Sequence, residues 1–305
     1  MNRGTELTVW EGRTVDEWRE AWGAPALLVL DVAGSTNDVA RALAEEGAPA
    51  GTAVIAERQT AGRGRGGRRW HAPPGTSLLV SVLMRPRAGD GTAAVATGAA
   101  VPVSAPDAPG VPAPATPAGP APGAVPLRMG LAVLQAAERV ADVRLGLKWP
   151  NDVVAPGAGK VAGILCEGSI IDAGGFIVVG IGVNVGQRAE DFPPDVRPTA
   201  VSLEQLAGRR ISRAALCGAI MEEIRTASAR QLAPLGADEL SRIARFDVLR
   251  GRAVTVDGRP AGTALGVAPD GALLIATPEG TTAPLHSGTL RVLGDETSGP
   301  RERYP

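Results

Sequence analysis

Lysine is the rare cation in this chain, and the two that occur fall in places where a mobile charge could do chemistry. Of 31 basic residues only Lys148 and Lys160 are lysine; the rest are arginine. Asparagine is nearly as scarce, at Asn2, Asn37, Asn151 and Asn184. Such a bias fits GC-rich codon usage, under which a retained lysine or asparagine marks a position where a substitute does not serve. An ammonium is a compact, movable point charge, whereas a guanidinium is a rigid planar fork. Lys148 lies in KWPND with Trp149 and Asn151 beside it. Lys160 opens KVAGILCE and could equally be a solvated strand-entry residue. Asn184 lies in GIGVNV, an apolar strand where an amide needs a hydrogen-bonding partner.

The second concentration of chemistry is GRGRGGRRW, residues 62–70. Gly62, Gly64 and Gly67 satisfy G-x-G-x-x-G, but a dinucleotide fingerprint needs a helix at the third glycine and an acid about 20 residues on. Here Pro73-Pro74 forbids that helix. A phosphate-binding P-loop would need Lys-Ser/Thr after the glycines, and none follows. An Arg-Gly tract for nucleic acid would be repetitive and net positive, whereas this is a single copy between apolar runs. What remains is a glycine loop whose amides, with Arg63, Arg65, Arg68 and Arg69, wrap a carboxylate or phosphate. Trp70 would offer an indole face for stacking. A solvated basic turn is the plainer alternative. Ser35-Thr36-Asn37 could be no more than a helix cap. Glu167 and Asp152 are candidate metal-binding acids, but no cluster has ligand spacing. His71 and His286 lie far apart, which leaves no nucleophile–histidine pair.

These residues must be positioned by the elements around them. PALLVLDVAGSTN reads as a strand entering a turn, and NDVARALAEEG as a helix stopped at Gly47. TAVIAE (52–57) and TSLLVSVLM (76–84) read as buried strands joined by the Arg-Gly stretch. Residues 88–124, rich in alanine and proline, have no apolar period and cannot bury enough surface to offset their ordering entropy; a disordered insert is expected. PLRMGLAVLQAAERV is an amphipathic helix. VAGILCEGSI and GGFIVVGIGVNV read as paired strands, and ISRAALCGAIMEEIRTASARQLA as a long helix. From about Leu249, short strands alternate with the turn signals DGR, PDG and PEG, which suits a small closed β-barrel.

The bulk numbers narrow the classes. Net charge is −1 over 305 residues, so no global field favours nucleic acid or an anionic membrane. Cys166 and Cys217 lack C-x-x-C or metal spacing and fit buried thiols in a reducing cytoplasm. The N-terminus has no apolar signal region, and the longest apolar run, FIVVGIGVNVG, is too short to span a bilayer. The expectation is a soluble cytoplasmic protein.

Taken in order, Ser35-Thr36-Asn37, AERQTAGRGRGGRRW (56–70), LKWPND (147–152), KVAGILCE (160–167) and GIGVNV (181–186) resemble a biotin protein ligase over about residues 25–245. The resemblance implies an α+β fold: a class II synthetase-like biotin/lipoate ligase catalytic domain with a mixed or antiparallel sheet and helices, over residues 1–245 with the insert at 88–124. It further implies a C-terminal SH3-like β-barrel over 246–294, before a flexible tail at 295–305. The implied reaction joins biotin to ATP as biotinyl-5'-AMP and passes biotin to a lysine of a carboxylase's biotin carrier domain, with Mg2+ accompanying ATP. By the same resemblance, Lys148, Arg63 and Arg65 would be catalytic. Ser35, Thr36, Asn37, Gln59, Gly64 and Gly163, with Arg63, Arg65 and Lys148, would bind biotin. Arg68, Trp70, Asn151 and Asn184, again with Arg63, Arg65 and Lys148, would hold the nucleotide. The Arg-Gly loop would act as a lid over the adenylate, and Gly66 in it is expected to add mobility. No protein-held metal is expected. About 25 residues precede the first core strand, too few for the helix-turn-helix domain of the family's repressors, so no nucleic-acid partner and no membrane partner are expected. A monomer or weak homodimer is the implied assembly. A lipoate or octanoate ligase or transferase of the same fold is the enzymatic alternative.

Overall fold

The computed structural model describes residues 4–85, 121–169, 175–227 and 232–293. A hairpin of β1 (Val9–Trp10) and β2 (Arg13–Thr14) leads into α1 (Val15–Ala21). Thr14 and Glu17 close a reciprocal capping box at the start of α1, satisfying two otherwise orphaned amides. Then come β3 (Leu27–Ala33), α2 (Thr36–Glu45), β4 (Ala53–Gln59) and β5 (Ser77–Met84). The Arg-Gly stretch does connect β4 to β5, and Gly47, at φ 92°, ends the α2 turn as expected. The expected insert falls outside the described residues up to 120, and α3 (Ala124–Ala141) follows. The expected tail at 295–305 also lies outside them.

Next are β6 (Gly146–Lys148), β7 (Asp152–Ala155), β8 (Gly159–Ser169), β9 (Phe176–Asn184), α4 (Leu203–Ala207), α5 (Arg213–Ala227) and α6 (Ala237–Phe246). Seven strands form one mixed sheet in the order β3-β4-β5-β9-β8-β7-β6, in which only β3 and β4 run parallel. Central strand β5 buries all its residues. Leu78, Val80, Val82 and Met84 face the large core beneath α3 and α5, while Leu83 faces a smaller core with Leu30, Val54 and Val39 beneath α2. A strand covered on both faces has no reason to alternate polar and apolar residues, hence its nearly continuous apolar sequence. The α+β architecture with a mixed sheet is as expected.

The C-terminal segment differs from expectation. Strands β10 (Ala253–Val256), β11 (Arg259–Val267), β12 (Leu273–Ala276), β13 (Thr282–Leu285) and β14 (Leu290–Val292) are all antiparallel, in the order β13-β12-β11-β10-β14. The edge strands β13 and β14 do not pair, so this is an open five-stranded sheet and the expected SH3-like barrel is incorrect. Turn spacing encodes hairpins, but closure depends on strand tilt and stagger, which turn residues do not specify. The sheet's apolar residues Val254, Ala264, Leu273, Ile275 and Leu290 join the same core as α3 and α5. Val248 N–H donates to the Leu147 carbonyl at 3.0 Å, and the Trp149 indole donates to the Gly271 carbonyl at 2.9 Å. The segment leading into β10 and the β11–β12 turn are thus fastened to the chain on either side of Lys148. Among the described residues, those before β3 form one hairpin and one seven-residue helix, with no helix-turn-helix. No described helix is long and apolar enough to cross a membrane.

Candidate active site

A cleft with a cavity volume of about 210 Å³ opens over β8 and β9, between the N-terminus of α2 and the Arg-Gly loop. It gathers Ser35, Thr36, Asn37, Gln59, Arg63, Gly64, Arg65, Arg68, Trp70, Asn151, Gly163 and Asn184 from five separate stretches of chain. Of the catalytic and binding residues that the resemblance implies, only Lys148 is absent from its walls, and Lys160 is present.

The end of the cleft at α2 is neutral and polar. Ser35 stands at the helix N-cap, yet its side chain makes no cap hydrogen bond; it is buried toward the cleft instead. Capping alone therefore does not account for this motif. The Thr36 backbone N–H donates to Gln59 Oε1 at 2.8 Å. Asn37 Nδ2 donates to Glu167 Oε2 at 2.7 Å and to the Leu165 carbonyl at 3.3 Å. Asn37 can lie flat on β9 because position 180 is glycine: a Cβ there would stand 2.2 Å from Asn37 Oδ1.

The other end is cationic. The Arg-Gly loop folds as a tight hairpin in which Gly64 N–H donates to the Arg68 carbonyl at 2.7 Å and Trp70 N–H to the Gly62 carbonyl at 3.0 Å. Its tip is a short 3-10 turn at Arg65–Gly67. Gly66 and Gly67 sit at φ 62° and 74°, in the left-handed region that favours glycine. Gly66, which was expected to add mobility, has a backbone that fits the turn it occupies. Trp70 lies against Gly163 and Gly182, which face each other across β8 and β9. A Cβ would approach the indole to 3.2 Å at position 163 and 2.6 Å at 182, so this paired-glycine floor makes the seat. Lys160 Nζ lies 5.5 Å from the ring centroid and 2.6 Å from Asp152 Oδ1. The indole Nε1 is buried without a hydrogen-bond partner among the described residues.

The arginines divide into two kinds. Arg63 grips Asp38 with both terminal nitrogens, at 2.8 and 2.6 Å, and reaches Glu167 at 3.2 Å. The Asp38 bond raises the Arg63 pKa above the ordinary guanidinium value, against burial, and Glu167 adds to it. Arg65 differs. Burial holds its pKa below the usual range, and only the field of Asp152 opposes that, with Arg68 adding like charge. Among the described residues no carboxylate lies within ion-pairing distance of Arg65. A partly desolvated cation of this kind favours an incoming anion.

Two asparagines work inside the protein. Asn184 Nδ2 donates to the carbonyls of Lys160 and Val201, at 3.1 and 3.4 Å, and its Oδ1 accepts from Gln187 at 3.0 Å. Asn151 Nδ2 donates to the Ile164 carbonyl at 2.8 Å, clamping the KWPND turn to β8. Lys148 ends β6 as the register partner of Asp152, the carboxylate with which Lys160 pairs. Sequence reading passed over Asp38, Gly180 and Gly182. It weighed Glu167 only as a metal ligand, whereas its carboxylate ties Asn37 to Arg63. Cys217 is buried as expected, whereas Cys166 is only half-buried; burial pushes the Cys166 thiol up to about 12, with Glu167 adding, and raises Cys217 as well. Among the described residues no three His, Cys, Asp or Glu side chains form a metal-binding group.

Asp38 makes a pH prediction. Its pKa is lowered chiefly by the Arg63 hydrogen bond, with burial opposing and the charges of Arg63 and Arg41 assisting. A depressed folded-state pKa contributes stability that is present above the unfolded value, about 4, and is lost as pH falls through the folded one. The Tm gap between wild type and Asp38→Asn is therefore expected to hold steady near neutral pH and to close below about pH 4. Thermal melts across that range check it; a gap undiminished in acid would contradict the ion pair.

Comparison with known proteins agrees with this geometry. The model of the biotin/lipoate A/B protein ligase family matches residues 29–106. The bifunctional ligase/repressor BirA of Bacillus subtilis is 33% identical over 259 residues, covering 83% of this chain and 70% of that protein. The biotin–[acetyl-CoA-carboxylase] ligase of Mycobacterium tuberculosis is 36% identical over 211 residues, 68% of this chain and 63% of that protein. The structure of the Aquifex aeolicus biotin protein ligase in complex with biotin and ATP superposes with a TM-score of 0.67 at 27% identity, covering 88% of this chain and 99% of that one. A relative one-third identical over most of its own length, and a solved ligase matched almost end to end, have the fold that builds this cleft: the chain belongs to the biotin protein ligase family.

Proposed function

We propose that the cleft activates biotin with ATP and that the chain transfers the biotinyl group to a lysine of a carboxylase's biotin carrier domain. The observation that carries this reading is the division of one cleft into a neutral amide and hydroxyl end and a cationic end around Arg65. Biotin has that division too, a neutral cyclic urea at one end and a carboxylate at the other. The urea would lie toward Thr36, Asn37 and Gln59, placing the carboxylate toward the Arg-Gly loop.

In the first step a carboxylate oxygen of biotin attacks the α-phosphorus of ATP. A C–O–P anhydride bond forms, and the bond to the β-phosphate breaks, releasing pyrophosphate. Two anions must approach, so cations are needed to screen them and to stabilise charge gathering at phosphorus. Arg65, Arg68 and Lys148 would supply them, while Arg63, held by Asp38 and Glu167, would anchor the base of the loop. Trp70 and Asn184 would bound the nucleotide. In the second step the neutral ε-amine of the carrier lysine attacks the acyl carbon, an amide forms, AMP leaves and the amine loses a proton. Mg2+ arriving with ATP would neutralise phosphate charge and would be held largely by phosphate oxygens, as that ion prefers. The setting we propose is the cytoplasm, as a monomer or weak homodimer with no DNA partner.

A lipoate or octanoate ligase is the competing reading, and the buried polar end argues against it, because an aprotic head would leave those groups unpaired. The deciding experiment incubates the chain with Mg-ATP, a purified carrier domain and either biotin or lipoate. ATP-dependent biotinylation without lipoylation supports the proposal; lipoylation alone, or neither, overturns it. A gel shift with biotin-operon DNA, expected to be negative, tests the repressor alternative.

Arg65→Ala removes the least compensated cation of the loop. Adenylate is expected to escape about tenfold faster, read as labelling of bystander proteins in a chase. Unchanged release would contradict the lid role.

A further inference from the structure

Ser81, in the middle of β5, has no feature that singles it out in sequence, yet it is completely buried at the polar end of the cleft. Its Oγ lies 2.6 Å from Asn37 Oδ1 and 2.7 Å from Thr36 Oγ1. A serine has one proton for these two neighbours. The far side of Asn37 decides where it goes. Asn37 Nδ2 faces Glu167 Oε2 and the Leu165 carbonyl, which only accept, so Oδ1 must face Ser81. An amide oxygen also only accepts; Ser81 therefore donates to Asn37. The Thr36 hydroxyl must then donate to Ser81, at 2.7 Å, in preference to Gln59 Oε1 at 3.2 Å. That Gln59 oxygen is already engaged by the Thr36 backbone N–H. The hydrogen bonds run one way, from Thr36 to Ser81 to Asn37 to Glu167. They leave the remaining lone pair of Thr36 Oγ1 as an acceptor on the cleft wall. Gly180, the cross-strand partner of Ser81, keeps this arrangement in place by leaving room for Asn37.

We infer that Ser81 is a positioning residue that takes the Thr36 proton, turns that hydroxyl into an acceptor and so sets the cleft to select an acid whose head carries N–H donors. The inference rests on the biotin reading above and names the group that enforces it. A cyclic urea meets the Thr36 oxygen with N–H; a dithiolane or an alkyl chain leaves it unsatisfied. Without Ser81, the Thr36 proton can rotate to Gln59 or into the cleft, and Asn37 Oδ1 loses its donor.

The test uses the full chain as wild type, Ser81→Ala and Ser81→Cys, with ATP–pyrophosphate exchange driven by biotin, desthiobiotin (which keeps the urea and lacks the sulfur) or lipoate. Ser81→Ala is expected to raise KM for biotin and desthiobiotin by about tenfold to a hundredfold, with kcat and the KM for ATP within about threefold. The preference for biotin over lipoate should fall by the same factor. Ser81→Cys, similar in size with a weaker donor, should lie between the two, an order that loss of packing would not produce. A wild-type biotin KM in Ser81→Ala, equal losses in all parameters, or a cysteine variant no better than alanine would overturn the inference. Should Ser81→Ala not fold, an unchanged biotin KM in Ser81→Cys overturns it. A wild type inactive with biotin would instead overturn the biotin reading.

Discussion

Lys148→Ala is expected to slow biotinyl-adenylate formation by about two to three orders of magnitude, the usual consequence of removing one preorganised charge from a transition state. Pyrophosphate release in a single turnover would measure it, with biotin binding expected to change much less. Lysine is scarce in this chain, two against a background of arginine, and this one sits on a rigidly held backbone. Leu147, just before it, accepts from Val248 N–H; Trp149, just after it, donates to Gly271; and Asn151 clamps the following turn to β8. A backbone fastened this closely can aim a flexible side chain at one spot. The competing candidate is Lys160, which lines the cleft but is paired with Asp152 at 2.6 Å beneath the Trp70 ring. Lys160→Ala should therefore cost more in nucleotide affinity than in rate. If instead Lys148→Ala turns over at a near-native rate and Lys160→Ala does not, the roles of the two lysines are exchanged.

Gly180→Ala is expected to cost the second most, and in a different way. Its Cβ would stand 2.2 Å from Asn37 Oδ1, far inside contact distance. Asn37 must then leave a position where it bonds to Ser81, Glu167 and the Leu165 carbonyl. Breaking buried hydrogen bonds of this kind costs roughly 1–3 kcal/mol, which in a protein of this size lowers Tm by about 2–10 °C. The KM for biotin is expected to rise about a hundredfold with the KM for ATP little changed, because Arg65 and Arg68 lie at the other end of the cleft. A folded variant with wild-type biotin KM would show that Asn37 does not help to form the biotin subsite.

Much of the fold and of the site was legible in the chain. The strands β5 and β9 announced themselves by β-branched and apolar runs, because strands buried on both faces need little else. The Arg-Gly loop was recognisable as a strand-to-strand connection, not a dinucleotide fingerprint, from its Pro73-Pro74 stop and the lack of a following helix. Ser35 illustrates the limit. Locally it is a helix cap, and only the structure, with its hydroxyl making no cap bond, separates the two roles. The C-terminal turns encoded hairpins but not closure, and the closed barrel inferred from them proved to be an open sheet.

The sequence alone determined the residue types of the site: three asparagines, Lys160, the glycine–arginine loop and the order in which they come. Those are local properties, written in spacing and composition. Which groups become partners was decided by the three-dimensional fold. Ser81 reads as one more residue of an apolar strand until β5 places it beside Thr36 and Asn37, 45 and 44 positions away. Glu167 reads as a possible metal ligand until β8 brings it to Asn37 and Arg63, 130 and 104 positions away. Gly163 and Gly182 become a seat for Trp70 only when their strands pair in register. Hydrogen bonds and close contacts act over a few ångströms, and no local pattern specifies which distant residues will come within that reach.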